Sequence, residues 1–135
     1  YGYKLSRAVK KEKKHYHFDW NMIIDEGARF ENMIACHLKK WIDYQEDCFG
    51  EELQLQYFRN TDNKEIDFLV TAGNTVKIMI ECKLSDESVS PTLVYLKAKH
   101  MKAEAWQISL KGKKDYLTKE GIRVAPAIEL LNQLV

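Results

Sequence analysis

Residues 80–85 read IECKLS, and in them Glu81 and Lys83 stand two positions apart at the end of an apolar run that begins at Val76. Successive side chains of a strand point to opposite faces, so Glu81 and Lys83 share one face and Cys82 takes the other. A charge placed in a core strand is costly unless a partner, a proton or a cation compensates it. The preceding segment offers an acid. KEIDFLV (64–70) reads as a strand and is joined to VKIMIECKL (76–84) by the turn cluster AGNT (72–75). If that turn is tight, Asp67 comes to lie beside Glu81 across the ladder. Two carboxylates at that spacing repel unless a cation or a proton joins them. Magnesium suits such a pair, because it prefers oxygen ligands and retains several waters. Lys83, held next to them, is expected to orient or help deprotonate an attacking water, or to stabilise charge developing on a phosphate.

Upstream, residues 26–45 carry Phe30, Met33, Ile34, His37, Leu38, Trp41 and Ile42 at three- and four-residue steps, the pattern of an amphipathic helix, with Asp25 as N-cap and Gly50 in the exit turn. On that helix Glu31 falls between Leu38 and Ile42, inside the apolar arc. A carboxylate there requires a basic side chain, a hydrogen-bond network or a metal shell to meet it. LQLQYF (53–58) alternates as a strand, and NTDN (60–63) is a turn cluster. Three strands joined by two short turns make an antiparallel meander. Downstream, Ser90 and Pro91 open a second helix running to about Met101, AWQISL (105–110) reads as a strand, IRV (122–124) as a short last strand, and Pro126 opens a terminal helix carrying Ile128, Leu131 and Leu134. A strand reached through a helix runs parallel to the one it joins. The expected class is α/β (α+β), a central mixed sheet of about four strands flanked by helices in the order αβββαβ.

The chain has 135 residues, 45% hydrophobic and 30% charged, which suits one compact domain. Its formal net charge is +1, from 21 basic and 20 acidic residues, so contact with a polyanion would use a local patch. Candidate patches are Lys97, Lys99 and Lys102 on the second helix and its exit, and Lys111, Lys113 and Lys114 in the loop KGKKD (111–115). No apolar run approaches the roughly 18 residues of a membrane span. Cys36, Cys48 and Cys82 are an odd number without paired spacing, which suits a reducing cytoplasm better than a disulfide framework or a zinc site. His15 and His17 would share a strand face without a third ligand nearby, and Trp20, Trp41 and Trp106 sit at core phases. Residues 1–20 read as a Lys-rich connector followed by a short strand, HYHFDW (15–20), and residues 21–135 as the domain proper. Tyr1 in first place leads us to expect a piece of a longer chain.

An aspartate, then Glu-x-Lys on the next strand, after a helix bearing a glutamate, resembles the PD-(D/E)XK nuclease-like superfamily. The segments HFDW (17–20), GARFENMIACHL (27–38), YFRNTDNKEIDFLV (57–70) and IECKLS (80–85) further resemble a C-terminal domain found behind an AAA+-type ATPase module in bacteria and archaea. The resemblance implies a restriction-endonuclease-like core and a magnesium- (or manganese-) dependent nuclease acting on DNA. It implies that Asp67, Glu81 and the backbone carbonyl of Cys82 bind the metal, while Lys83 and Glu31 serve the chemistry. Ile66 stands where the superfamily's name-giving proline would be. Glu65, two residues before Asp67, is expected to lie outside the metal shell, paired with Arg59. The implied partners are DNA, an N-terminal ATPase module of the same chain, and a second copy for duplex cutting. The alternative is a catalytically inactive accessory domain that binds nucleic acid or protein.

Overall fold

The computed structural model describes residues 9–10, 25–59 and 64–134. The Lys-rich connector, the HYHFDW segment with His15, His17 and Trp20, and the NTDN turn therefore fall outside the described residues, apart from the backbone of Val9 and Lys10. The elements are β1 (Val9–Lys10), α1 (Glu26–Phe49), β2 (Gln54–Arg59), β3 (Glu65–Ala72), β4 (Thr75–Lys83), α2 (Pro91–Lys99), β5 (Glu104–Ser109), β6 (Tyr116–Leu117), β7 (Ile122–Pro126) and α3 (Ala127–Gln133).

Helix α1 starts where its cap predicts: the Asp25 carboxylate accepts the Gly27 N–H at 2.8 Å. It runs one turn beyond the expected end and stops at Gly50, whose φ of 67° is the left-handed backbone that lets its N–H return to the Gln45 and Glu46 carbonyls. Phe30, Ile34, Leu38 and Ile42 line its buried stripe. His37, expected on that stripe, is exposed at its margin, and Ala35 and Asn32 are buried instead. Helix α2 opens with the Ser90 hydroxyl accepting the Leu93 N–H and with Pro91 in its first turn. Its end is closed by Lys97, whose ammonium donates to the Met101 and Ala103 carbonyls at 2.7 and 2.6 Å.

The sheet is mixed, and it is larger than expected. Its order is β1-β2-β3-β4-β5-β7-β6, seven strands among the described residues. The meander β2–β3–β4 is antiparallel, and β5 joins β4 in parallel through α2. The expectation of about four strands in the order αβββαβ is corrected at both ends. Val9–Lys10 adds a rung to β2, and β7 inserts parallel to β5 with β6 returning antiparallel on the rim. The short polar run between Leu110 and Gly121 disguised this extension: β6 is only two residues long and both are exposed. What holds the rim is Arg123 on β7. Its guanidinium pairs with both Asp115 oxygens at 2.8 and 2.9 Å and lies 5.1 Å from the Trp106 ring centre.

Each face of the sheet is covered. Phe68, Val70, Ile78, Ile80, Trp106 and Ile108 pack with the α1 stripe and with Leu130 of α3. Leu69, Met79, Val76, Ala105, Ile122 and Val124 pack with Leu93 and Leu96 of α2. Met79 and Ile80 thus belong to opposite layers, as strand alternation requires. In α3 the expected apolar face is rotated: Ile128 is exposed, while Ala127 and Leu130 are buried. Among the described residues no helix is long and apolar enough to cross a membrane.

Phe68 has no exposed surface and sits at the centre of the α1 layer. Phe68→Ala is expected to lower unfolding free energy by about 3–5 kcal/mol. A shifted denaturant midpoint with an unchanged slope would show it.

Candidate functional site at the open end of the β3–β4 hairpin

Backbone pairing between β3 and β4 runs to Phe68↔Ile80. One step further, Asp67 faces Glu81, and here side chains replace the ladder bonds. The Asp67 N–H donates to Glu81 Oε1 at 3.3 Å, and the Cys82 N–H donates to Asp67 Oδ2 at 2.9 Å. The two acids expected to meet across the hairpin do meet, each held by the other strand's backbone. Lys83 joins them: its Nζ is 3.5 Å from Glu81 Oε2 and 3.9 Å from Glu87 Oε1. Glu81 and Lys83 are well shielded, with side-chain exposures of 13% and 26%.

The electrostatics follow from that enclosure. Burial, then the charge of Asp67 and a side-chain hydrogen bond with it, push the Glu81 carboxyl up to about 8, outweighing the pull of Lys83 and of the Asp67 N–H. At neutral pH this environment favours the protonated form of the Glu81 carboxyl. A divalent cation competing for this place has to displace that proton.

Cys82 faces both ways. Its side chain packs against the α1 layer, while its N–H serves Asp67. In extended backbone a residue's N–H and C=O leave on the same side, so the Cys82 carbonyl is directed to the edge where Asp67 lies. Oxygen donors of this kind fit a hard cation such as Mg2+ or Mn2+. The side-chain set is spare: among the described residues no group of three or more His, Cys, Asp or Glu side chains is gathered as a metal cluster. A fuller shell would draw on the Cys82 carbonyl and on water.

Glu31 is half-buried on α1, the helix covering the Phe68–Ile80 layer. Alternation puts Glu81 and Lys83 in the phase of Met79, which is the α2 layer. Glu31 therefore approaches from the other face of the sheet. Arg59 and Glu65 form the expected ion pair at the hairpin's outer side.

The lysines separate into two groups. Leu110 N–H donates to the Lys83 carbonyl at 3.1 Å and Lys111 N–H to the Leu84 carbonyl at 2.8 Å, so the loop bearing Lys111, Lys113 and Lys114 borders the site. Lys111 is paired with Glu26 at 3.0 Å. Lys99 and Lys102 instead flank a shallow depression with Thr75 and Val76 at the start of β4. Seven residues at about 3.3 Å each place them some ~23 Å from Lys83 along the strand. Lys97 is occupied in closing α2, and Lys99 lies 5.0 Å from the Tyr95 ring centre.

One residue that supports the site escaped the sequence reading. Gln107 on β5 is in register with Glu81 and almost fully buried. Its Oε1 accepts the Ser90 N–H at 2.8 Å, and its Nε2 donates to the Glu87 and Ser88 carbonyls at 3.2 and 3.1 Å. It thereby fixes the β4–α2 connection that brings Glu87 to Lys83. The available signal was an amide in the middle of the apolar strand AWQISL, where burial demands that it be fully bonded.

The fold and the site together define a mixed α/β domain with a carboxylate pair and a lysine at the opening of a β-hairpin. Residues 26–130 match the family described as Domain of unknown function (DUF4143), and the chain belongs to that family. No curated protein and no solved structure matches the chain.

The raised Glu81 carboxyl makes stability pH-dependent in a defined direction. Below the ordinary value of 4.5 the group is protonated whether the chain is folded or unfolded. Between there and about 8 the folded state holds the proton that the unfolded chain has lost, so the stabilisation is lost progressively as pH rises. Glu81→Gln removes this dependence. With a chelator present, the melting temperature of Glu81→Gln is expected to gain on wild type by several degrees between pH 5 and pH 9. A gap that does not change with pH would place the proton elsewhere.

Proposed function

We propose that the chain is a magnesium- or manganese-dependent nuclease-like domain that hydrolyses phosphodiester bonds, with DNA as substrate. The observation that carries this reading is the convergence of Asp67, Glu81 and Lys83 at one opening, through the Asp67–Glu81 and Cys82–Asp67 hydrogen bonds and the Lys83–Glu81 ion pair. It is supported by the resemblance of the same residues to the PD-(D/E)XK superfamily and its restriction-endonuclease-like core.

In this reading Asp67, Glu81 and the Cys82 carbonyl would hold the cation, which would supply Lewis acidity toward a water and the phosphate. To hold a cation Glu81 would have to give up its proton, leaving both of its oxygens as acceptors. Lys83 keeps an ammonium at the same opening, where it orients the attacking water and offsets the negative charge that grows on the phosphate. Gln107 and the β4–α2 connection keep Glu87 beside Lys83, which limits how far that ammonium can swing. The assignment of Glu31 to the chemistry rests on the resemblance alone. On the resemblance alone, the domain is further proposed to be the C-terminal part of a larger cytoplasmic AAA+-type ATPase and to act as a homodimer on duplex DNA.

A second reading, a non-catalytic accessory domain that binds nucleic acid or protein, is favoured by the spare side-chain set at the site. Cleavage of plasmid and linear DNA with magnesium or manganese separates the two. Asp67→Ala and Lys83→Ala are expected to lose on the order of 10²-fold or more in rate while melting cooperatively. Undiminished cleavage by both variants would overturn the catalytic reading. Metal-independent DNA binding without cleavage by wild type would establish the second.

A further inference from the structure

The connections that follow β4 and β5 are tied together more closely than two surface loops need to be. The two Asp86 oxygens are shared out: Oδ2 accepts the Lys113 N–H at 3.1 Å and Oδ1 accepts the Lys114 N–H at 3.2 Å. Gly112 sits beneath this clasp. A Cβ there would lie 2.4 Å from Asp86 Oδ1 and 2.3 Å from Ser109 Oγ, so the position admits no side chain while the clasp is closed. Two successive amides aimed at one carboxylate form a small concave anion seat, here filled from within the chain. The result is a turn of fixed shape whose Lys113 and Lys114 side chains remain exposed. The Leu110 and Lys111 amides, bonded to the Lys83 and Leu84 carbonyls, attach that turn directly to the strand end that carries the site.

We infer that Asp86 is a positioning residue for a phosphate-backbone seat: by clasping residues 112–114 it holds Lys113 and Lys114 beside the Asp67–Glu81–Lys83 opening, where they engage phosphates next to the bond under attack. This rests on the proposed function and adds where the polyanion lies. It runs past the C-terminal ends of β4 and β5, away from Lys99 and Lys102 at the other end of the sheet. Lys111 contributes less, since Glu26 already pairs with it. Order in the turn matters because an ammonium fixed near its phosphate gives up less side-chain entropy on binding than a free one.

The sign of one substitution separates positioning from simple charge. Removing the negative charge of Asp86 should tighten binding of a polyanion if only the field matters. Asp86→Asn cannot accept from both amides, because its amide nitrogen is a donor. If the clasp positions the lysines, Asp86→Asn weakens binding in spite of the more favourable charge. Gly112→Ala, which changes no charge, weakens it in the same way. The measurement is equilibrium binding of a fluorescent DNA duplex to the full 135-residue chain, in calcium to prevent cleavage, across a salt series. Unfolding curves confirm that each variant is folded, and Lys113→Ala/Lys114→Ala alters exposed side chains only. We expect Lys113→Ala/Lys114→Ala to bind about tenfold more weakly and to reduce the salt slope by about 1.8. Asp86→Asn and Gly112→Ala are expected to bind about three- to tenfold more weakly. Wild type binding DNA while Asp86→Asn binds as well or better and Gly112→Ala is unchanged would overturn this inference and leave the proposed function standing. Wild type neither binding nor cleaving DNA would remove the proposed function, and this inference with it.

Discussion

Two carboxyl groups facing each other where a hairpin opens set the terms for the rest of this molecule. At Asp67 and Glu81 the β3–β4 ladder gives up backbone pairing, and the acid side chains take over the N–H groups that the ladder leaves behind. That substitution satisfies the backbone at the cost of bringing two negative groups into contact under partial burial. The conflict is resolved by a retained proton on Glu81 and a lysine two residues on. In the centre of the β3–β4 pair alternation holds, with Phe68 and Ile80 on one layer and Leu69 and Met79 on the other, and a register shift between Val70 and Thr71 interrupts it nearer the turn. At the site the ladder itself gives way, and this is tolerable because large apolar layers on both faces hold the strands in place around it.

The surroundings of the pair are divided among elements with different tasks. Gln107 reaches from β5 to hold the β4–α2 connection through its amide, so the position of Glu87 depends on a neighbour in the sheet. Asp86, on that same connection, reaches forward to the turn after β5. The two crossing points between the β4 and β5 exits therefore run in opposite directions, one from strand to loop and one from loop to loop. Their consequence for function is rigidity at the end of the sheet where the acids and the basic turn lie close together. The lysines of the α2 exit take no part in this, and one of them is consumed as the helix's own C-terminal closure.

Much of this could be read from the chain because the informative features are local or periodic. The β3–β4 turn is short, so the sequence brings Asp67 near Glu81, but counting back from Ala72↔Thr75 reaches Ile80, and the register shift between Val70 and Thr71 is what sets Asp67 opposite Glu81. Asp25, Gly50, Ser90 and Pro91 announce helix ends by chemistry that acts within a few residues. The pieces that escaped depend on distant partners. β6 has two exposed residues and no alternation, and it is a strand only because β7 lies beside it. Gln107 looks like a flaw in an apolar strand until the loop it holds is seen. His37 and Ile128 were placed inside by periodicity, but the true centre of each apolar stripe is set by which layer the helix faces. The two lysine patches are visible in the sequence, but that they lie at opposite ends of a strand is not, because sequence proximity says nothing about it.

The tie between Lys111 and Glu26 joins residues 85 apart in the chain, whereas the Asp67–Glu81 contact closes over 14. Loop closure grows dearer only logarithmically with length, yet this ratio still amounts to about 1.6 kcal/mol of chain entropy. The acidic half of the opening is therefore the half that a partly ordered chain can assemble from a single hairpin. Lys83 arrives on that same hairpin, so the acids and their ammonium come together at once, while the Lys111 tether waits for the first helix to settle on the finished sheet.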